Sequence, residues 1–162
     1  MAAPEAQLDE FIDKFSVEVA TLARSILTKM RKRLPGAIEL VYDNYNALAI
    51  GFAKGERTSD APFSIALYPR WVSLFFLQGA TLPDPAGILK GSGNVVRHIV
   101  LSSAEDIAKA EVEILIQLAL DRAEWIPKKS AKGRIVIKSV SPNQRPRLPG
   151  PSSVRSKAKT KP

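Results

Sequence analysis

The chain contains no cysteine, which excludes disulfide bonds, thiolate metal sites and thiol nucleophiles. It also lacks long apolar runs. The longest apolar-rich stretch, 114–120, is interrupted by Gln117 and is far shorter than the roughly 20 residues that a membrane-spanning helix needs. Residues 1–10 carry acids and no apolar core, so the sequence predicts no secretory signal. We therefore expect a cytoplasmic protein without a membrane partner.

Acidic residues are missing from the C-terminal segment 128–162, which holds 11 of the 24 Lys and Arg residues. The rest of the chain has 13 basic and 16 acidic residues, a net charge near −3, although the whole chain carries +8. A segment rich in Lys, Ser, Pro and Arg buries too little apolar surface to offset its ordering entropy. We predict a folded domain over 1–126 and a basic, largely disordered tail over 127–162, in which 134–140 could pair as an edge strand or dock.

Two long amphipathic helices are predicted, one near each end of the domain. Over 6–33 the apolar residues recur at helical spacing, acids gather at the start and bases at the end, as the helix dipole favours. The Leu-Pro-Gly sequence at 34–36 ends this helix. The second helix begins with a capping-box pattern at 102–106 and continues to about Trp125.

Strands are predicted between the two helices. Apolar runs at 47–53, 62–68 and 71–77 are separated by short polar connections, which indicates an antiparallel meander. A fourth strand is predicted over 95–101, and 37–42 is ambiguous, with one short helical turn as an interpretation. The fold class predicted is α+β, a small antiparallel sheet of about four to five strands packed against an N-terminal and a C-terminal long helix.

Short motifs follow one another in a characteristic order: RLPGAIE at 33–39, YPRWVSLFF at 68–76, LPDP at 82–85 and LKGSGNVVRHI at 89–99. Together they resemble the YdhG-like bacterial domain family over about residues 8–125. The resemblance implies a compact α+β fold. The family is catalogued mainly as being of unknown function, with one branch described as a frataxin-like intracellular iron chaperone. It brings no catalytic residue set to this chain.

Glu5, Asp9 and Asp13 occur at four-residue spacing on one ridge of the first predicted helix. Oxygen ligands suit iron that is passed between proteins, so the ridge is a candidate metal site. The resemblance implies iron or an iron–sulfur assembly partner. The alternative is that acids at a helix N-terminus are stabilised by the dipole alone. The iron hypothesis fails if neutralising the three carboxylates leaves ferrous-iron binding unchanged.

Two segments are candidates for binding a small ligand. The glycine-rich turn before the fourth strand, with a cation on each side, could hold an anion through backbone N–H groups. It is not a P-loop, because a strand and not a helix follows. Two tyrosines among polar residues are candidates for the edge of a pocket. These seven candidates are Tyr42, Tyr45, Lys90, Gly91, Ser92, Gly93 and Arg97.

The basic segment is a candidate for nucleic-acid contact. Positive charges without acids would neutralise phosphates and give salt-sensitive, sequence-independent affinity. The segment lacks aromatic residues for base stacking, and cationic tails also arise as solubilising extensions. The candidate contacts are Lys128, Lys129, Lys132, Arg134, Arg145 and Arg147.

No residue pattern indicates an active site. His98 is the only histidine, and no serine or carboxylate stands at a spacing that suggests a catalytic pair. We therefore expect a non-enzymatic binding or carrier module. Iron handling, nucleic-acid association and a ligand pocket near Tyr42 and Gly91, with or without catalysis, remain three open functions, in that order.

Overall fold

The computed structural model describes residues 2–150, which form a six-stranded sheet with three α-helices. The strands are β1 (Ile38–Asp43), β2 (Leu48–Ala53), β3 (Phe63–Leu67), β4 (Val72–Phe76), β5 (Arg97–Leu101) and β6 (Arg134–Val140). The helices are α1 (Pro4–Asp13), α2 (Val17–Arg33) and α3 (Ala110–Arg122). Within this part of the chain, no helix has the length and apolar character to cross a membrane.

The sheet is mixed, in the order β5-β4-β3-β2-β1-β6, with β1 and β6 parallel and the other neighbours antiparallel. The main core lies on one face, where alternate residues of the strands, such as Leu48, Ile50 and Phe52 of β2, form one cluster with residues of all three helices. The opposite face carries small residues at its centre, such as Ala49 and Ala66.

The α+β class is confirmed, and β2, β3 and β4 form the predicted meander. Across its tightest connection the N–H of Tyr68 donates to the carbonyl of Trp71 at 2.9 Å. The prediction was wrong in the size and type of the sheet, which has six strands and is mixed. One extra strand is β1, in the ambiguous segment 37–42. Leu40 and Val41 point to opposite faces and are both fully buried, so this strand lacks the alternation that marks a half-exposed one.

The single helix expected over 6–33 is two helices. α1 ends at Asp13, and α2 begins after Ser16, whose hydroxyl oxygen accepts a hydrogen bond from the N–H of Val19 at 3.2 Å. Ser16 has extended backbone geometry, as an N-cap residue requires. The hydrophobic periodicity runs through this break because Phe15, within it, is also buried in the core.

The second predicted helix is also divided. The expected capping box is present, with the carboxylate of Asp106 accepting hydrogen bonds from the N–H groups of Ser102 and Ser103 at 2.8 and 3.2 Å. It starts a 3₁₀ turn over Ala104–Ala108, and α3 follows from Ala110.

The C-terminal segment differs from the expected tail over 134–150. β6 pairs with β1, and Ile135 and Ile137 pack against the main core, so the alternative of an edge strand is confirmed. Residues 141–150 then follow the β1–β2 hairpin, with the N–H of Ser141 donating to the carbonyl of Asp43 at 2.8 Å. The folded domain therefore does not end at 126. The expectation of disorder for 151–162 falls outside the described residues.

Arg147 fastens this segment to the domain. Its guanidinium donates to the carboxylate of Asp43 at 2.8 Å, and the two side chains are 4% and 0% exposed. It also donates to the carbonyl of Asn44 at 2.6 Å and lies over the ring of Phe15, 5.5 Å from its centroid. The ammonium of Lys14 is 3.2 Å from the second oxygen of Asp43. We call Lys14, Asp43 and Arg147 the C-terminal clasp.

Candidate functional site

A cavity of about 340 Å³ lies between the β2–β3 connection, the segment after β4 and the last turn of α3. Its volume is within the range of small-molecule sites, roughly 300–1,000 Å³. Its apolar lining side chains are buried or half-buried, and we call them the floor, whereas most of its polar lining side chains are exposed and lie toward the opening. The floor is made by Ala61, Pro62, Leu77, Leu82 and Ala119.

The β2–β3 connection is held in shape by Asp60. Its carboxylate accepts a hydrogen bond from the backbone N–H of Arg57 at 3.1 Å and lies 3.3 Å from the Arg57 guanidinium. That backbone hydrogen bond is the main cause that lowers the pKa of Asp60 below its usual range, so the group is ionised at neutral pH. The hydroxyls of Thr58 and Tyr42 are 2.8 Å apart, which fixes the outer side of the connection against β1.

Two cations tie the walls of the cavity together. The ammonium of Lys54, at the end of β2, donates to the carbonyl of Ala123 at the end of α3 at 2.7 Å. The guanidinium of Arg122 donates to the hydroxyl and the carbonyl of Thr81 at 2.5 and 3.2 Å. Both side chains line the cavity, and within residues 2–150 neither takes part in a salt bridge. We call this site the Lys54–Arg122 cavity.

The lining can bind and orient a small molecule. The floor would exclude water from an apolar group, while Lys54 and Arg122 supply positive charge and Thr58, Ser59 and Gln78 supply hydrogen-bonding groups. His98 lies elsewhere, with its ring 5.2 Å from the ring of Phe75. The one histidine of the chain is therefore not part of the lining.

The two predicted tyrosines belong to different surfaces. Tyr42 is half-buried and reaches the Lys54–Arg122 cavity through its contact with Thr58. Tyr45 is 53% exposed and lines a shallow groove of about 510 Å³ on the open face of the sheet, together with Tyr68 and Phe75. The structure therefore brings Tyr42, but not Tyr45, to the edge of the cavity.

The predicted anion-binding turn is held by hydrogen bonds within the turn. The guanidinium of Arg97 donates to the carbonyls of Gly93 and Val96 at 2.6 and 2.8 Å. Lys90 exchanges backbone hydrogen bonds with His98 at 2.8 and 2.9 Å, which holds the turn against β5. None of the residues from Lys90 to Gly93 lines the Lys54–Arg122 cavity or the groove beside Tyr45. The structure therefore does not join Gly91, Ser92 and Gly93 to the tyrosines in one pocket.

The acidic ridge of α1 faces cations. The carboxylates of Asp9 and Asp13 each lie 2.7 Å from the same Arg24 guanidinium nitrogen, and these hydrogen bonds, the one to Asp13 first, raise the pKa of Arg24. Glu5 adds to the negative potential around Arg31. Across residues 2–150, no group of three or more His, Cys, Asp or Glu residues could hold a metal ion. Iron binding by Glu5, Asp9 and Asp13 stays a prediction.

The six predicted nucleic-acid contacts are separated by β6. Lys128, Lys129 and Lys132 are exposed in the loop that precedes the strand, and the Lys128–Ala131 backbone packs closely on Gly36. Arg134 forms an ion pair with Glu56.

The two predicted nucleic-acid contacts that follow the strand differ in exposure. Arg145 is exposed, and its guanidinium lies 3.4 Å from the amide oxygen of Asn46. Arg147 is buried in the C-terminal clasp. The prediction for Arg147 is wrong, because a guanidinium enclosed by protein cannot reach a phosphate.

Sequence reasoning missed the residues that build the cavity. The polar run 54–60 was interpreted only as the end of a strand, and Arg122 fell within the second predicted helix without being assigned a role. Lys54 and Ala123 are 69 positions apart, and Arg122 and Thr81 are 41 apart. No local pattern connects such positions, so no signal in one sequence identifies them.

Comparison of the chain with protein-family models, with curated proteins and with solved structures found no match. The resemblance to the YdhG-like family therefore rests on the order of its short motifs and stays a prediction. The fold and the cavity define the chain as an α+β domain with a site of small-molecule size.

Proposed function

We propose that this protein is a non-enzymatic binding module that takes a small molecule into the Lys54–Arg122 cavity. The observation that carries the proposal is a cavity of about 340 Å³ with an apolar floor and a polar opening. Such a combination lets an apolar group leave water while polar groups fix its orientation. Three segments far apart in sequence meet there and are tied by specific hydrogen bonds, so the cavity depends on the folded domain.

A neutral aromatic probe, naphthalene-2-acetamide, tests the proposal by amide NMR on the full chain. With about 14 non-hydrogen atoms at ~0.3 kcal/mol each, it should bind with a Kd in the millimolar range. Shifts should concentrate on Ala61, Leu82 and Ala119. Replacing Ala123 by phenylalanine should fill the cavity and abolish these shifts.

The matched control is Ala110→Phe, at the exposed start of the same helix, which should leave probe binding unchanged. The proposal is contradicted if the probe shifts no cavity residue. It is also contradicted if Ala123→Phe, with its fold intact by NMR, binds the probe as well as the unaltered chain.

A second candidate function, nucleic-acid association, is supported by the exposed lysines of the 128–132 loop. Within residues 2–150, Lys128, Lys129 and Lys132 form no salt bridge. Free cations that project from one loop can neutralise several phosphates together. The loop is held on the domain at Gly36, so it would present its charges from a fixed position.

The double change Lys128→Gln with Lys129→Gln should weaken binding to duplex DNA and lower the salt slope of log K by about 2, since each phosphate contact contributes about 0.9. Fluorescence anisotropy at several salt concentrations measures both quantities. The control is Lys29→Gln with Lys90→Gln, which removes the same charge elsewhere. Equal losses in the two variants would show that only net charge matters and would reject the loop as a site.

A further inference from the structure

The Lys54–Arg122 cavity carries positive charge that the surrounding protein compensates only in part. Its lining holds two cations and one carboxylate, Asp60. That carboxylate lies 3.3 Å from the guanidinium of Arg57, and the charge of Lys54 also helps to lower its pKa. Lys54 and Arg122 contact only neutral groups, the carbonyl of Ala123 and the hydroxyl and carbonyl of Thr81. A hydrogen bond to a neutral oxygen satisfies a donor without cancelling its charge.

Both cations keep donors for a ligand. An ammonium has three N–H groups and a guanidinium has five. Lys54 uses one of them on Ala123, and Arg122 makes two contacts with Thr81. The C-terminal end of α3 carries a partial negative charge, which would oppose an anion, but Lys54 lies on that end and offsets it.

The floor restricts the remainder of the ligand. Ala61, Leu82 and Ala119 are each less than a tenth exposed and offer no hydrogen bond from their side chains. A highly polar anion would therefore lose hydration along the floor without replacement. An apolar body with one anionic end suits the floor and the two cations together.

We infer that the ligand of the Lys54–Arg122 cavity is a small organic carboxylate with an apolar body, whose anionic end lies at Lys54 and Arg122. The inference rests on the proposed function, because it names the ligand class of the same cavity. The planar guanidinium of Arg122 can donate two parallel hydrogen bonds to a carboxylate, and Lys54 adds a mobile point charge.

Three probes of one shape and different charge test the inference on the full chain: naphthalene-2-acetate, naphthalene-2-acetamide and 2-(naphthalen-2-yl)ethylammonium. Amide NMR titration should give a Kd about tenfold lower for the acetate than for the acetamide, and the ammonium should bind weakest. Equal affinity of acetate and acetamide, or tightest binding of the ammonium, overturns the inference and leaves the cavity as a neutral binding site. Absence of binding by all three overturns the proposed function as well.

A variant without the two charges tests whether Lys54 and Arg122 cause the preference for the acetate. Lys54→Gln with Arg122→Gln keeps a donor at each position and removes both charges, so the tenfold preference for the acetate should disappear while acetamide binding persists. The control pair Lys29→Gln with Lys32→Gln, two lysines of α2 outside the cavity lining, lowers the net charge equally and should retain the preference. A preference that survives in the first variant, or that disappears in the control, overturns the assignment to Lys54 and Arg122.

Discussion

Replacement of Arg147 by methionine should lower the free energy of unfolding by about 3–5 kcal/mol, the cost of leaving a buried charge without its partner. The variant leaves the carboxylate of Asp43, which is 0% exposed, with only the 45% exposed ammonium of Lys14. It also removes the hydrogen bond to the carbonyl of Asn44 and the contact with the ring of Phe15. Urea denaturation followed by tryptophan fluorescence measures the change.

The matched control is Arg145→Met, two positions away on the same segment, whose exposed guanidinium makes one long contact to Asn46. That change should alter the free energy of unfolding by less than about 0.5 kcal/mol. Similar losses in the two variants would contradict the clasp, since they would trace the effect to the segment and not to the buried ion pair.

Removal of both charges of the Asp43–Arg147 pair separates the cost of breaking the pair from the net contribution of the pair to the free energy of unfolding. In Asp43→Asn with Arg147→Met no buried ion is left unpaired, since Lys14, which loses Asp43, is 45% exposed. The double variant should therefore be less destabilised than Arg147→Met alone. The Nε of Arg147 is buried without a partner among the described residues, which already reduces the net contribution of the pair. We therefore expect the clasp to position residues 141–150 and to contribute less net stability than the loss in Arg147→Met alone would suggest.

The elements that could be predicted from the sequence are those whose contacts are local. β2, β3 and β4 are consecutive strands joined by short connections, so alternation and turn residues defined them. The Ser103–Asp106 capping box lies within four residues and was equally visible. β1 was not, because it is buried on both faces and carries no alternation.

The parts that could not be predicted depend on partners distant in the chain. Asp43 and Arg147 are 104 positions apart, and nothing around Arg147 distinguishes a buried guanidinium from a solvated one. The ridge of Asp9 and Asp13 was recognised from spacing alone, but Arg24, which pairs with both, lies on another helix. Composition likewise described the basic segment as a tail. The apolar residues of 134–140 indicated a possible edge strand but did not identify β1 as its neighbour.

A chain that ends at Ile126 should be predominantly unfolded, whereas a chain that ends at Gly150 should unfold cooperatively. The shorter chain loses β6, whose Ile135 and Ile137 cover part of the main core, and it also loses Arg147 from the clasp. These losses are set against a total stability of only about 5–15 kcal/mol for a typical domain. Thermal unfolding by circular dichroism and the dispersion of amide NMR signals distinguish the outcomes.

The same comparison decides which chain is suitable for ligand studies. The Lys54–Arg122 cavity is built entirely from residues before 127, so it would be present in a folded 1–126 chain. Its wall, however, includes Lys54, which follows β2, and β2 pairs with β1, the strand that loses its neighbour in the shorter chain. A cooperative transition in the 1–126 chain would show that β6 is an addition to an independent five-stranded domain. Its absence would mean that β6 is part of the unit that forms the cavity.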